Sequence, residues 1–376
     1  MSTLDQRIDT LNQLGKLFKD VCDNNKDSIY HIWINKFHDE ISSAFQHNKW
    51  FTKEFVLLSL NNWSIELTEN NLKKWIDKYR TKDCSDKTIA IIMAGNLPLV
   101  GFHDLICAFT LNYNCLIKLS SDDKILIPII IEFIQSLLPD FENKIKLVQK
   151  PLKNFDGVIA TGNNTSFKHF EFYFKKYPKL LRKSRHSIAI LDGNESKNDL
   201  KNLGKDIFNF FGMGCRSVSK IFIPYNYNFD LLFNALYEHR GVINHNKYAN
   251  NYDYNKAVYL MSEQKFVENG FLIIKEDNKL GSPIACLFYE KYKSISDLEK
   301  KTINIKDSLQ CVVSNLKISN AIAFGSCQNP RIEDYADNID TLKFLLKIWW
   351  YLIWKTLNNL YHLINLQTFK NNNEKT

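Results

Sequence analysis

Over residues 5–80 apolar side chains return every three or four positions, as at Ile8, Leu11, Leu14, Leu17 and Phe18, with no proline and Gly15 alone to interrupt them. That spacing predicts helices, and residues 1–85 are read as an N-terminal helical arm. After Lys87 the period changes. TIAIIMAG (88–95) is a short, wholly apolar, β-branched run ending in glycine, the pattern of a strand buried on both faces. NCLIKLS (114–120), KIKLVQ (144–149), GVIATG (157–162) and HSIAILDG (186–193) repeat the pattern, with helical spacing between them at 99–111, 125–138 and 165–177. Strands alternating with helices predict an α/β fold with an open parallel sheet, whose ligand loops lie at the carboxyl ends of the strands, here 95–96, 118–122 and 161–165.

A second α/β unit is expected from residue 205. It has a helix through Phe211, a strand at 218–224, a helix at 231–238, and strands near 257–261, 271–275, 285–290 and 309–315. The polar stretch GNESKNDLKN (193–202) supplies the boundary, giving units of 86–200 and 201–320 followed by a return segment and tail, 321–376. That tail carries Trp349, Trp350 and Trp354 in an almost unbroken apolar run. Burial, or packing against a partner or a second copy, is favoured over an interfacial membrane helix, which needs a cleaner polar face.

Composition narrows the class. With 45% hydrophobic and 24% charged residues, the 376-residue chain can bury sizeable cores. Its net charge of +8 would admit a nucleic acid, but only seven of the 49 basic residues are arginine and the lysines are scattered, so no nucleic-acid partner is expected. The longest apolar run, 88–117, is broken by Gly95, Pro98, Gly101 and Asp104, so no transmembrane span is expected. Eight cysteines without a CxxC pair indicate free thiols in a reducing compartment and no metal site, and the first residues lack a secretory pattern. A cytoplasmic location follows.

No GxGxxG or GxxxxGK[ST] loop follows the first strand. The sharper signal is FFGMGCRSVS (210–219), where Cys215 follows Gly212 and Gly214 at the entry to a strand. Such a turn can expose a thiolate and aim a backbone N–H at an oxyanion, although a free cysteine is more often a small buried hydrophobe. Asn96, between a strand and a helix, is either a turn residue or an amide donor to that oxyanion. His103 and Asp104 diverge at adjacent helical positions and read as structural, and Arg182, Lys183 and Arg185 as a solvated basic turn.

The runs AGNLPLVGFHD (94–104), LIKLSS (116–121), VIATGNNTS (158–166), LRKSRHSIAIL (181–191), FGMGCRSVSKIFIP (211–224), INHNKYANNYDYNKA (243–257) and FGSCQNPRIEDYADNIDTLKFLL (324–346) resemble, in this order, the LuxC-type acyl-CoA reductases. These are the fatty acyl reductases of bacterial luminescence, with non-luminous relatives, within the aldehyde dehydrogenase superfamily. The resemblance covers residues 85–346 and implies two open α/β sheets, one for a nicotinamide cofactor and one for catalysis.

It implies Cys215 as nucleophile and Asn96 as its oxyanion partner. Lys118 would meet the adenosine ribose, with Ser120 and Ser121 placed for a 2′-phosphate. Thr161, Gly162 and Asn163 would form the turn under the pyrophosphate, with Asn163 replacing the usual serine. NADPH is the implied cofactor, NADH the alternative. The substrate would be a long-chain acyl-CoA or acyl-protein thioester, reduced to the fatty aldehyde through an S-acyl cysteine. Where hydrolytic relatives carry Glu-Leu-Gly-Gly, AILDGNES is the matching stretch, with Asp192 or Glu195 open as acid or base. The rivals are a cysteine acyltransferase or thioesterase without cofactor, and a catalytically silent scaffold.

Overall fold

The computed structural model describes residues 2–348. The amino-terminal region is four helices, α1 (Leu4–Asp23), α2 (His31–His47), α3 (Lys53–Glu66) and α4 (Glu69–Ile76). A capping box between Thr3 and Gln6 starts α1, satisfying two backbone donors that the helix cannot. The helices are docked rather than projecting. Leu11, Leu14, Phe18 and Phe37 share one core with the first sheet, and buried Arg7 donates through Nε to the Thr110 carbonyl at 3.0 Å.

The first sheet is built from β1 (Thr88–Ile92), β2 (Asn114–Lys118), β3 (Ile145–Leu147), β4 (Gly157–Thr161) and β5 (Lys179–Arg182) in the order β3-β2-β1-β4-β5, with every pair parallel. Helices α5 (Phe102–Thr110), α6 (Leu126–Leu137) and α7 (Asn164–Tyr173) follow β1, β2 and β4. β5 lies in the stretch read as a basic turn.

The second sheet has seven strands in the order β12-β11-β6-β7-β10-β9-β8. They are β6 (His186–Ile190), β7 (Val218–Pro224), β8 (Phe266–Glu268), β9 (Ile273–Glu276), β10 (Cys286–Tyr292), β11 (Leu309–Val313) and β12 (Ala321–Ile322). Helices α8 (Lys197–Phe208), α9 (Phe229–Leu236), α10 (Asn246–Met261) and α11 (Ile295–Ile303) connect them, and β8 alone runs antiparallel.

Three expectations are corrected. The strand at 186–193 belongs to the second sheet, between β11 and β7, so the chain changes sheets at residues 183–185 rather than near 200. The polar stretch read as a boundary is the start of α8, where Ser196 and Asp199 form a capping box. The apolar run at 257–261 is the last turn of α10: Tyr252, Asn255 and Tyr259 are buried at helical spacing while Leu260 and Met261 are exposed.

The tail is helical over residues 341–348, with Leu342, Leu345 and Ile348 in the first core. Trp349, Trp350, Trp354 and the rest lie outside the described residues. No described helix is long and apolar enough to cross a membrane.

Candidate functional site

Cys215 sits at the amino-terminal entry to β7, where the chain leaves α8 through an unusual turn. Phe210, Phe211 and Gly212 follow one another in the left-handed region, with φ of 54°, 55° and 75°. Two consecutive aromatic residues adopt that conformation only at a cost in strain. Their rings are held by packing, Phe211 against Trp50, Phe55 and His245, and Phe210 against Phe55. The turn delivers Cys215 to the surface, where the residue is exposed.

The loop is gripped from several sides. The Gly214 N–H donates to Ser217 Oγ at 3.2 Å, and buried Gln328 donates to the same oxygen at 3.0 Å. Arg216 donates to the Asp334 carbonyl at 3.0 Å and to Cys311 Sγ at 3.4 Å. The buried Ser187 hydroxyl donates to the Cys215 carbonyl at 2.9 Å. None of these partners was given a role at this site from the sequence. The resemblance did reach Ser187, in the 181–191 run, and Gln328 and Asp334, in the 324–346 run, but assigned them nothing.

From the first sheet, the loop after β1 comes to meet Cys215. Asn96 is exposed, and its Nδ2 donates at 3.3 Å to the carbonyl of Met213, two residues before the cysteine. A Cβ added to Gly214 would lie 2.9 Å from Leu97, so the two loops touch. Gly95 permits a second close approach, because a Cβ there would stand 2.6 Å from that of Ser120. The sequence-nominated pair, Asn96 and Cys215, is thereby brought to one junction between the two sheets.

The other nominated residues lie along the carboxyl edge of the first sheet. Lys118 ends β2 beside Ile92, and Thr161 ends β4 beside Arg182. Ser120 Oγ accepts the Asp122 N–H at 3.2 Å, while Ser121 is exposed and its carbonyl is met by His47 Nε2 at 2.6 Å. Gly162 leads into α7, whose N-cap is Asn163; the Asn163 side chain accepts the Ser166 N–H at 2.8 Å. Buried Asp123 closes this edge, its Oδ2 taking the Leu99 N–H at 3.3 Å.

Electrostatics at Cys215 are set by its surroundings. Although the residue is reached by solvent, protein crowds its sulfur, and this desolvation pushes the thiol up to about 11. The Arg216 guanidinium opposes the shift and Asp337 adds to it. Asp337 is itself engaged by Arg185 Nε at 3.1 Å.

Two further expectations fail. Arg182 is no solvated basic residue: it is buried, ion-paired with Asp104 and donates to Thr341 Oγ1 at 2.8 Å, joining β5, α5 and the return segment. Asp192 and Glu195 are not near Cys215. They follow the carboxyl end of β6, and because β6 and β7 are parallel, Cys215 lies at the opposite end. There Asp192 and Glu195 line a cavity of about 300 Å³ with Pro224 and Tyr227. His103 is structural, stacked on Tyr335 with ring centroids 5.1 Å apart. Among the described residues no cluster of three or more His, Cys, Asp or Glu could hold a metal.

No protein-family model matches the chain. Among curated proteins it is similar to protein Ycf2 of Physcomitrium patens, 24% identical over 222 residues that cover 54% of this chain and 9% of that one. The chain thus spans less than a tenth of that relative's length. Solved structures give broader likeness. Aldehyde dehydrogenase 21 of Physcomitrella patens, in complex with succinate, has a TM-score of 0.59 at 10% identity over 92% of this chain and 89% of that one. The Delta-pyrroline-5-carboxylate dehydrogenase of Mycobacterium tuberculosis gives 0.58 at 11%, over 92% and 77%. An aldehyde dehydrogenase of the same organism, complexed with NAD+, gives 0.54 at 12%, over 82% and 78%. At such identities the likeness is one of fold, and the chain has the aldehyde dehydrogenase fold.

Proposed function

We propose that this chain is an NAD(P)-dependent aldehyde oxidoreductase working as an acyl-CoA reductase, with Cys215 as nucleophile. The observation that carries the reading is the meeting of an exposed Cys215, held in a strained and heavily hydrogen-bonded turn, with the Asn96 loop of the other sheet.

The carboxyl edge of the first sheet suits a nicotinamide dinucleotide by its donor set. Lys118, the hydroxyls of Ser120, Ser121 and Thr161, and the first N–H groups of α7 all offer positive charge or protons to phosphate and ribose oxygens. Asn163 departs from that pattern, since its carbonyl oxygen already caps α7. When bound, the cofactor would supply hydride. NADPH is favoured over NADH by Ser120 and Ser121.

The protein's own part follows from Cys215. The Cys215 thiol gives up its proton to solvent, the thiolate attacks the thioester carbonyl, and Asn96 Nδ2 with the Cys215 backbone N–H stabilises the oxyanion. Two sulfurs then compete to leave. With the Cys215 thiol near 11, the CoA thiolate, at about 8.5, is the weaker base and departs, so collapse runs toward the S-acyl enzyme. Asp337 is occupied by Arg185, and Asp192 and Glu195 lie at the far end of β6, so none of these three carboxylates is placed to activate water at Cys215. That arrangement favours reduction of the acyl group over its hydrolysis.

Titration of nicotinamide fluorescence tests the cofactor half of this reading. Saturable binding of NADPH, weakened in Lys118→Ala and kept in Cys215→Ala, is the expected result. Binding of neither NADPH nor NADH would hand the site to a cysteine acyltransferase or thioesterase.

A further inference from the structure

The return segment lies over the Cys215 loop as a clip, and Gln328 stands between its anchors. Asp206 of α8 holds one side, taking the Gly325 N–H at 2.6 Å and the Cys327 N–H at 2.9 Å. Helix α3 holds the other. Asn62 Nδ2 donates to the Gln328 carbonyl at 2.8 Å, and Glu66 Oε2 accepts the Ile332 N–H at 2.8 Å. From this fixed backbone the buried Gln328 amide donates to Ser217 Oγ at 3.0 Å.

Ser217 closes the turn that carries the nucleophile. Its N–H donates to the Gly214 carbonyl at 3.0 Å and its hydroxyl accepts the Gly214 N–H at 3.2 Å, so Cys215 and Arg216 occupy the middle of a four-residue turn. In a trans peptide the C=O and N–H point opposite ways, and a Gly214 carbonyl held inside the turn aims the Cys215 N–H away from it. The direction of that N–H therefore depends on Ser217. A serine hydroxyl has several staggered positions open to it, and the bond from Gln328 selects one.

We propose that Gln328 is a positioning residue, which fixes the Ser217 hydroxyl and through it the Cys215 N–H that meets an oxyanion. The inference rests on the reading of Cys215 as the acyl-accepting sulfur and adds the return segment to what prepares it. Two reactions of the same sulfur then separate. When the thiolate attacks an acyl carbonyl, the oxygen gains charge and needs the aimed N–H. When the thiolate displaces iodide from iodoacetamide, the C–I bond breaks, no oxygen gains charge, and thiolate supply and access set the rate.

The test compares both reactions on Cys215 of the full chain, wild type and Gln328→Met, by peptide mass. Methionine keeps the length of glutamine and adds no polar group to the core. The acyl donor is p-nitrophenyl acetate: the carbonyl carbon bonds to sulfur, its bond to the phenolic oxygen breaks, and p-nitrophenolate leaves. Acetylation is expected to fall about tenfold or more in Gln328→Met, with iodoacetamide alkylation held at the wild-type rate. Equal slowing of both reactions, or of neither, would overturn the proposal. If Gln328→Met does not fold by circular dichroism, Asn62→Ala, which releases the Gln328 carbonyl from α3, is read in its place, with the ratio of the two rates expected to shift in the same direction. A wild-type Cys215 that alkylates but takes no acetyl group would remove both this inference and the reading it rests on. Acetylation from the ester with none from acyl-CoA would sink the reductase reading alone, since the slowing in Gln328→Met would still assign Gln328.

Discussion

The hydroxyl of Ser187 donates a 2.9 Å hydrogen bond to the carbonyl oxygen of Cys215, across from β6 to the loop before β7. Ser187 Oγ in turn accepts the Cys311 N–H at 3.1 Å, so one buried hydroxyl ties the Cys215 loop to β11. In Ser187→Ala the Cys311 N–H and the Cys215 carbonyl both lose a partner. A buried group left unpaired costs ~1–3 kcal/mol. The variant should melt lower and acylate several-fold more slowly with substrate affinity little changed. Unaltered acylation in a destabilised variant would reduce Ser187 to a purely structural role.

Reactivity of Cys215 should climb steadily with pH. With a thiol near 11, the thiolate fraction grows about tenfold per pH unit throughout the neutral range. Iodoacetamide labelling of Cys215, followed by peptide mass, should show a slope near one on a logarithmic plot from pH 7 to about 10. A plateau beginning below pH 8 would mean that the resting cysteine is already a thiolate.

The Arg182–Asp104 pair is sealed inside the protein, with side chains 5% and 4% exposed. Removing one partner strands a buried charge, at ~3–5 kcal/mol. Arg182→Met and Asp104→Leu should each be strongly destabilising. The double variant should recover most of that loss, measured by urea denaturation. Additive losses would show that the pair is not coupled.

Asp123 carries a cost at neutral pH. Burial pushes its carboxyl from 3.8 up to about 6, with the Leu99 and Leu126 N–H groups pulling the other way. A folded value above the unfolded one means that the fold favours the protonated form. The contribution is complete below roughly pH 4 and is lost as pH rises through 6, reaching about 3 kcal/mol at most. Asp123→Asn keeps an acceptor for the Leu99 N–H. It should match wild type at pH 4 and exceed it in stability at pH 8, while a constant difference across that range would contradict the assignment.

Much of this was legible in the chain. Short apolar runs such as 88–95 and 157–162 became parallel strands because both faces are covered, and helical spacing at Ile8, Leu11 and Leu14 marked a true core face. The run at 257–261 misled because its apolar residues are split between a buried Tyr259 and exposed Val258, Leu260 and Met261, which local composition does not distinguish. β6 misled for another reason: its sequence is that of a doubly buried strand, and nothing local says which sheet takes it. Cys215 and Asn96 were visible through glycine and turn chemistry. Ser187, Gln328 and Asp334 were not, because a serine that holds a carbonyl 28 residues away leaves no local pattern. Arg182 looked solvated because its partners, Asp104 and Thr341, are 78 and 159 residues distant.

The central claim is that Cys215 carries the acyl group and gives it up to hydride. Intact mass of the purified chain after incubation with a long-chain acyl-CoA, without and then with NADPH, tests this beside Cys215→Ala. The account predicts a gain of one acyl group on wild type alone, discharged by NADPH with formation of the aldehyde. An adduct that survives NADPH and is released only to water or another acceptor, or an equal adduct on Cys215→Ala, would contradict it.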